Sequence, residues 1–142
     1  MRPFLIGTML AFLAVTPAWA NVGRIKSASG GAYIERVGQR IAIKPGFVLE
    51  KGDVIITPVK GRAGMTFVDN CRLAAGPNSR ITISNFDYND TTHSGVFVAD
   101  IAKGTVAIVG GLIAKSAPNA MRVKTPKALF AVRGARIVVR VK

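Results

Sequence analysis

Chemistry-bearing side chains are scarce in this chain of 142 residues, which has one cysteine, Cys71, and one histidine, His93. A lone cysteine forms no intramolecular disulfide, so stability has to come from packing. Flanked by strand-like residues, it is expected to be a buried thiol. A metal centre draws several His, Cys or carboxylate ligands together at close spacing, and no such cluster is present. The seven acidic residues are equally sparse. Asp87 and Asp90 share a polar loop with His93 but lack the dense oxygen ladder of a calcium loop. The pairs Gly30-Gly31 and Gly110-Gly111 are read as backbone bends, with no helix after them to cradle a phosphate. No enzyme activity, cofactor or metal is expected.

Acid is missing most completely from the C-terminal third. Residues 101–142 hold nine of the twenty basic residues and no aspartate or glutamate. Residues 21–100 hold ten basic residues and all seven acids. A field so lopsided favours an anionic partner.

Long apolar runs are also absent, with one exception at the start. Phe4 to Val15 is apolar except for Thr8, follows Arg2, and gives way to Thr16-Pro17 and then Ala18-Trp19-Ala20. This is the order of a secretory signal, with cleavage expected after Ala20. Twelve residues of helix reach about 18 Å, short of a ~30 Å hydrocarbon core. Residues 1–20 are therefore expected to be a signal peptide and residues 21–142 one periplasmic or secreted domain, with no stable membrane span after cleavage. Outside the cytoplasm nucleic acid is scarce. The basic surface then points to an envelope protein or an anionic envelope polymer or lipid.

What the chain does have is short, β-branched, alternating segments separated by turn signals. Ala32–Val37 and Arg40–Ile43 suggest a hairpin, as do Val96–Ala99 and Thr105–Val109 around Lys103-Gly104. Gly52-Asp53 suggests a turn in which the carboxylate accepts the next two N–H groups. Arg133 is expected to reach a carboxylate or carbonyls, and Gly134 to bend the strand. The last strand alternates Arg136, Val138, Arg140 and Lys142 with Ile137, Val139 and Val141, so cations line one face and aliphatics the other. An all-β fold follows.

Four segments, in order, resemble the FecR-type domain family. Gly46, Leu49, Gly52, Asp53, Ile55 and Thr57 fit its G-x-x-L-x-x-G-D-x-I-x-T pattern. Phe67-Val68-Asp69-Asn70-Cys71 is similar to its strand ending in Asp-Gly-Ser, with Asn70-Cys71 in place of Gly-Ser. Gly76-Pro77-Asn78-Ser79 is similar to its G-P-x-S turn. Val123-Lys124-Thr125-Pro126 and Val132-Arg133-Gly134 are similar to its closing signature, with Ala135 for Thr.

The resemblance implies a twisted two-sheet sandwich or β-solenoid-like domain in the periplasm. In iron-uptake regulators of that family the domain relays a receptor signal to the cytoplasm. No cytoplasmic segment precedes the apolar run here, so a stand-alone, non-catalytic interaction domain is expected. The candidate surface is Arg122, Lys124, Lys127, Arg133, Arg136, Arg140 and Lys142. Alternatives are assembly by pairing of sheet edges, including self-association, or a remote accessory role in iron-responsive signalling.

Overall fold

A computed structural model describes residues 21–133 and 136–142. The expected signal peptide and Gly134 lie outside the described residues. No helix among the described residues is long and apolar enough to cross a membrane.

Twelve strands join into one curled, largely antiparallel sheet. In chain order they are β1 (Asn21–Ser29), β2 (Tyr33–Arg36), β3 (Gln39–Ala42), β4 (Val48–Glu50), β5 (Val54–Ile56), β6 (Arg62–Phe67), β7 (Arg72–Ala75), β8 (Arg80–Tyr88), β9 (Gly95–Val109), β10 (Met121–Lys124), β11 (Leu129–Ala131) and β12 (Arg136–Val141). The all-β expectation holds, and the main path runs β3-β2-β5-β8-β9-β7-β6-β1-β4 as a single sheet.

The segment read as a hairpin around Lys103-Gly104 is instead one strand of 15 residues. Its first part pairs with β8 and β10, and its last part pairs with β7 and β12. The register slips at Arg80/Ile81, and Gly104 takes φ +101°. That bulge also switches which alternate residues face inward. Phe97, Ala99 and Ile101 are buried before it, Val106 and Ile108 after it. A glycine in the left-handed region serves a turn or a bulge equally well, which is why local sequence suggested a reversal.

Inside the curl, aliphatic residues from both halves form one core. Phe67 of β6 and Phe86 of β8 both contact Phe97 of β9, with ring centroids 4.6 and 5.0 Å away. These edge-to-face contacts tie the two halves together across β9. The hairpin β2–β3 forms as expected, closed by Val37 and Gly38 with φ 50° and 75°. One short helix, α1 (Leu112–Ser116), was not expected from the sequence. Its five residues are too few for an apolar period to register.

Candidate functional site

The motif residues act as structural ties. Gly52 turns at φ +90°. The Asp53 carboxylate then bonds backward, contrary to expectation: it accepts from Glu50 N–H at 2.8 Å and from the Arg36 guanidinium at 2.9 and 2.8 Å. Asp53 is buried, and its hydrogen bond raises the Arg36 guanidinium above its ordinary value, with burial partly opposing. Thr57 donates to the Gly76 carbonyl at 2.7 Å and accepts from Ser79 N–H at 2.9 Å, locking the start of one turn to the end of another. Thr125 ties its own turn by accepting from Ala128 N–H at 3.1 Å, and Pro126 follows it. Leu49 is fully buried, and Gly46 turns at φ +92°.

Asp69 accepts from Cys71 N–H at 3.0 Å and from Ile113 N–H at 3.3 Å. The helix expected to be missing after Gly110-Gly111 is thus present, and its N-terminus is filled by the chain's own carboxylate. Burial raises the Asp69 carboxyl, and the two backbone N–H bonds lower it in part. A carboxyl raised in the folded state holds its proton more tightly there. Its stabilising contribution is full below the ordinary carboxylate range and is lost as pH rises through the raised value. The stability of the protein relative to its Asp69→Asn variant should therefore fall as pH rises from about 3. Chemical denaturation at a series of pH values checks this, and a flat or rising difference would refute it.

Cys71 is fully buried against Met121, 3.9 Å sulfur to sulfur. Burial pushes its thiol far up, and Asp69 adds to this. Such a thiol is a packing group and a poor nucleophile. His93 lies exposed in the loop after β8 with φ 60°. Among the described residues no cluster of three or more His, Cys, Asp or Glu side chains could hold a metal.

The charged surface is organised by strand register. Directly opposed residues point to the same face. Arg24 of β1 stands opposite Thr66 of β6, Thr66 opposite Arg72 of β7, Arg72 opposite Val109 of β9, and Val109 opposite Arg136 of β12. Three arginines thus stand in one row on alternate strands, about 10 Å apart at the usual strand spacing. The next row on this face carries Gly64, Ala74 and Ala107, a low floor between guanidinium groups, and ends at the exposed Val138. Arg140 follows, opposite Thr105. Arg24, Arg72, Arg136 and Arg140 are all exposed, and no carboxylate stands in these rows.

The sequence reading found Arg136 and Arg140 but missed Arg24 and Arg72. Each sits in an alternating strand, so its outward orientation was legible. Its alignment with Arg136, 112 and 64 positions away, depends on pairing that local pattern does not carry. The other expected cations fall elsewhere. Arg122 and Lys124 are on β10, where Lys124 is in register with Asp100, and the buried Arg122 Nε has no partner. Lys127 is in the turn before β11, and Lys142 follows β12. Arg133 is exposed, with no bond to a carboxylate or carbonyl among the described residues. All three ion pairs among the described residues lie in the N-terminal part: Arg36 with Glu50 and Asp53, and Arg80 with Glu35.

A family model described as FecR protein matches residues 53–142, spanning β5 to β12. No curated protein and no solved structure matches.

Proposed function

The chain belongs to the FecR protein family, and on that premise we propose that it is a non-catalytic interaction domain of the periplasm that docks an anionic envelope component on its arginine face. The observation that carries this reading is the row Arg24–Arg72–Arg136, with Arg140 beside it, exposed and without a carboxylate among them. Guanidinium groups offer planar, paired donors that suit carboxylate and phosphate oxygens. The small residues between them let a partner approach the sheet closely. Export by residues 1–20 would put the face where acidic proteins, cell-wall polymers and lipid phosphates are available.

Reversing Arg136→Glu and Arg140→Glu together should abolish retention of the protein on a phosphate-bearing column at physiological salt. Arg24→Glu with Arg72→Glu should do the same, although these residues lie far away in the chain. Retention by the unaltered protein should fall steeply with salt, because exposed charges are screened within about 8 Å at physiological ionic strength. Retention that depends on Arg136 and Arg140 but ignores Arg24 and Arg72 would restrict the surface to the last strand. Retention that survives both pairs would defeat the proposal.

A further inference from the structure

The last strand has a hydrogen-bonding edge to spare. Gly76 donates its N–H to the Thr105 carbonyl at 2.8 Å, which sets the phase of β9. In an antiparallel ladder alternate residues turn their backbone groups to opposite neighbours. Thr105, Ala107 and Val109 therefore bond toward β7, and Val106 and Ile108 bond toward β12. Opposite the latter stand Val139 and Ile137. The N–H and C=O groups of Val138 and Arg140 then point away from β9. Among the described strands β12 pairs with β9 alone.

This edge borders an apolar groove of about 640 Å³. Ile137, Val139 and Val141 form one wall; Pro126, Ala128 and Phe130 form the other. Val138 and Arg140 also line it, so the groove follows the strand's edge as well as one of its faces. Its charged side chains are Lys127, Arg140 and Lys142, and no aspartate or glutamate lines it. Phe130 and Val138 remain 44% and 66% exposed, large for apolar side chains.

We propose that the edge of β12 accepts an extended peptide strand from another protein, with apolar and acidic side chains in alternation. The added strand would meet the N–H and C=O groups of Val138 and Arg140. Its apolar side chains would fill the groove, and its carboxylates would pair with Lys127, Arg140 and Lys142. Charge selects this occupant. Residues 101–142 contain no acid, so a second β12 would set cation against cation. An acyl chain would fill the groove but leave the backbone groups of the edge unmet. Strand addition supplies both kinds of contact. The site shares Arg140 with the arginine face but needs no ligand there.

The test uses a fluorescein-labelled peptide of six residues, the length of β12, alternating valine and glutamate, with binding read by anisotropy. Val138→Pro removes an N–H that faces away from β9, so the ladder to β9 and every charge are kept. It should weaken peptide binding about tenfold, while the melting temperature and retention on the phosphate column stay unchanged. Ala131→Trp, which crowds the groove from β11, should weaken binding as well, and it serves if the proline variant does not fold. A peptide with lysine in place of glutamate should not bind. Absence of binding, or binding indifferent to both variants, overturns the proposal. It is also overturned if dodecanoate binds where the peptide does not, or if the protein dimerises through this edge and Val138→Pro abolishes the dimer.

Discussion

Gly104→Ala should cost at least about 3 kcal/mol of stability, or prevent folding altogether. Two effects add. At φ +101° any side chain is strained. A Cβ there would also come within 2.5 Å of the Ser79 Cα and Cβ, which have little freedom to retreat. Ser79 is fully buried, its N–H is held by Thr57, and its hydroxyl donates to the Gly76 carbonyl at 2.9 Å. Equilibrium denaturation in urea measures the loss. Gly38→Ala supplies the control, since that glycine has a similar φ of +75° with nothing within 4 Å of the added carbon. A cost at Gly104 no larger than at Gly38 would show that the close approach of Ser79 contributes nothing.

Arg36→Met should destabilise the protein by about 3 kcal/mol, the low end for breaking a buried ion pair. The substitution leaves the Asp53 carboxylate fully buried with the Glu50 N–H as its remaining hydrogen-bond donor. The loss stays at the low end because the Arg36 side chain is itself 26% exposed. Arg36 does more than neutralise: it also donates to the Val48 carbonyl at 3.1 Å and lies over the Phe47 ring at 5.4 Å. Combining Arg36→Met with Asp53→Ala should cost clearly less than the two single losses added together, since the stranded charge is then gone. Denaturation of all four proteins closes this cycle. Additive losses would show that the pair is not coupled.

These two sites also show what the sequence could and could not disclose. At Gly52-Asp53 the turn was legible because glycine followed by a short acceptor is a local device. The partner was not, because Arg36 lies 17 residues away and reaches Asp53 through the pairing of β2 with β5. At Lys103-Gly104 the special backbone was legible, but whether it reversed the chain was not. One clue was present: the apolar phase shifts from Phe97, Ala99 and Ile101 to Val106 and Ile108. A bulge produces such a shift within one continuous strand. The cationic, alternating character of β12 was plain from the sequence because strand period alone encodes it. Its extension onto Arg24 and Arg72 was hidden for the opposite reason, since register between strands is a property of the whole sheet.

The fifteen-residue β9 also sets a timetable for folding. Neither β8 nor β7 can complete its pairing until residues 95–109 are present, because β9 is a neighbour of both. β7 and β8 therefore each wait with an open edge until β9 arrives, and the two halves join only through it. Such dependence on distant pairings makes for slow folding and a long aggregation-prone interval. Chains truncated before Gly95 should accumulate as insoluble material, whereas the full chain should refold in one cooperative step that draws both halves together.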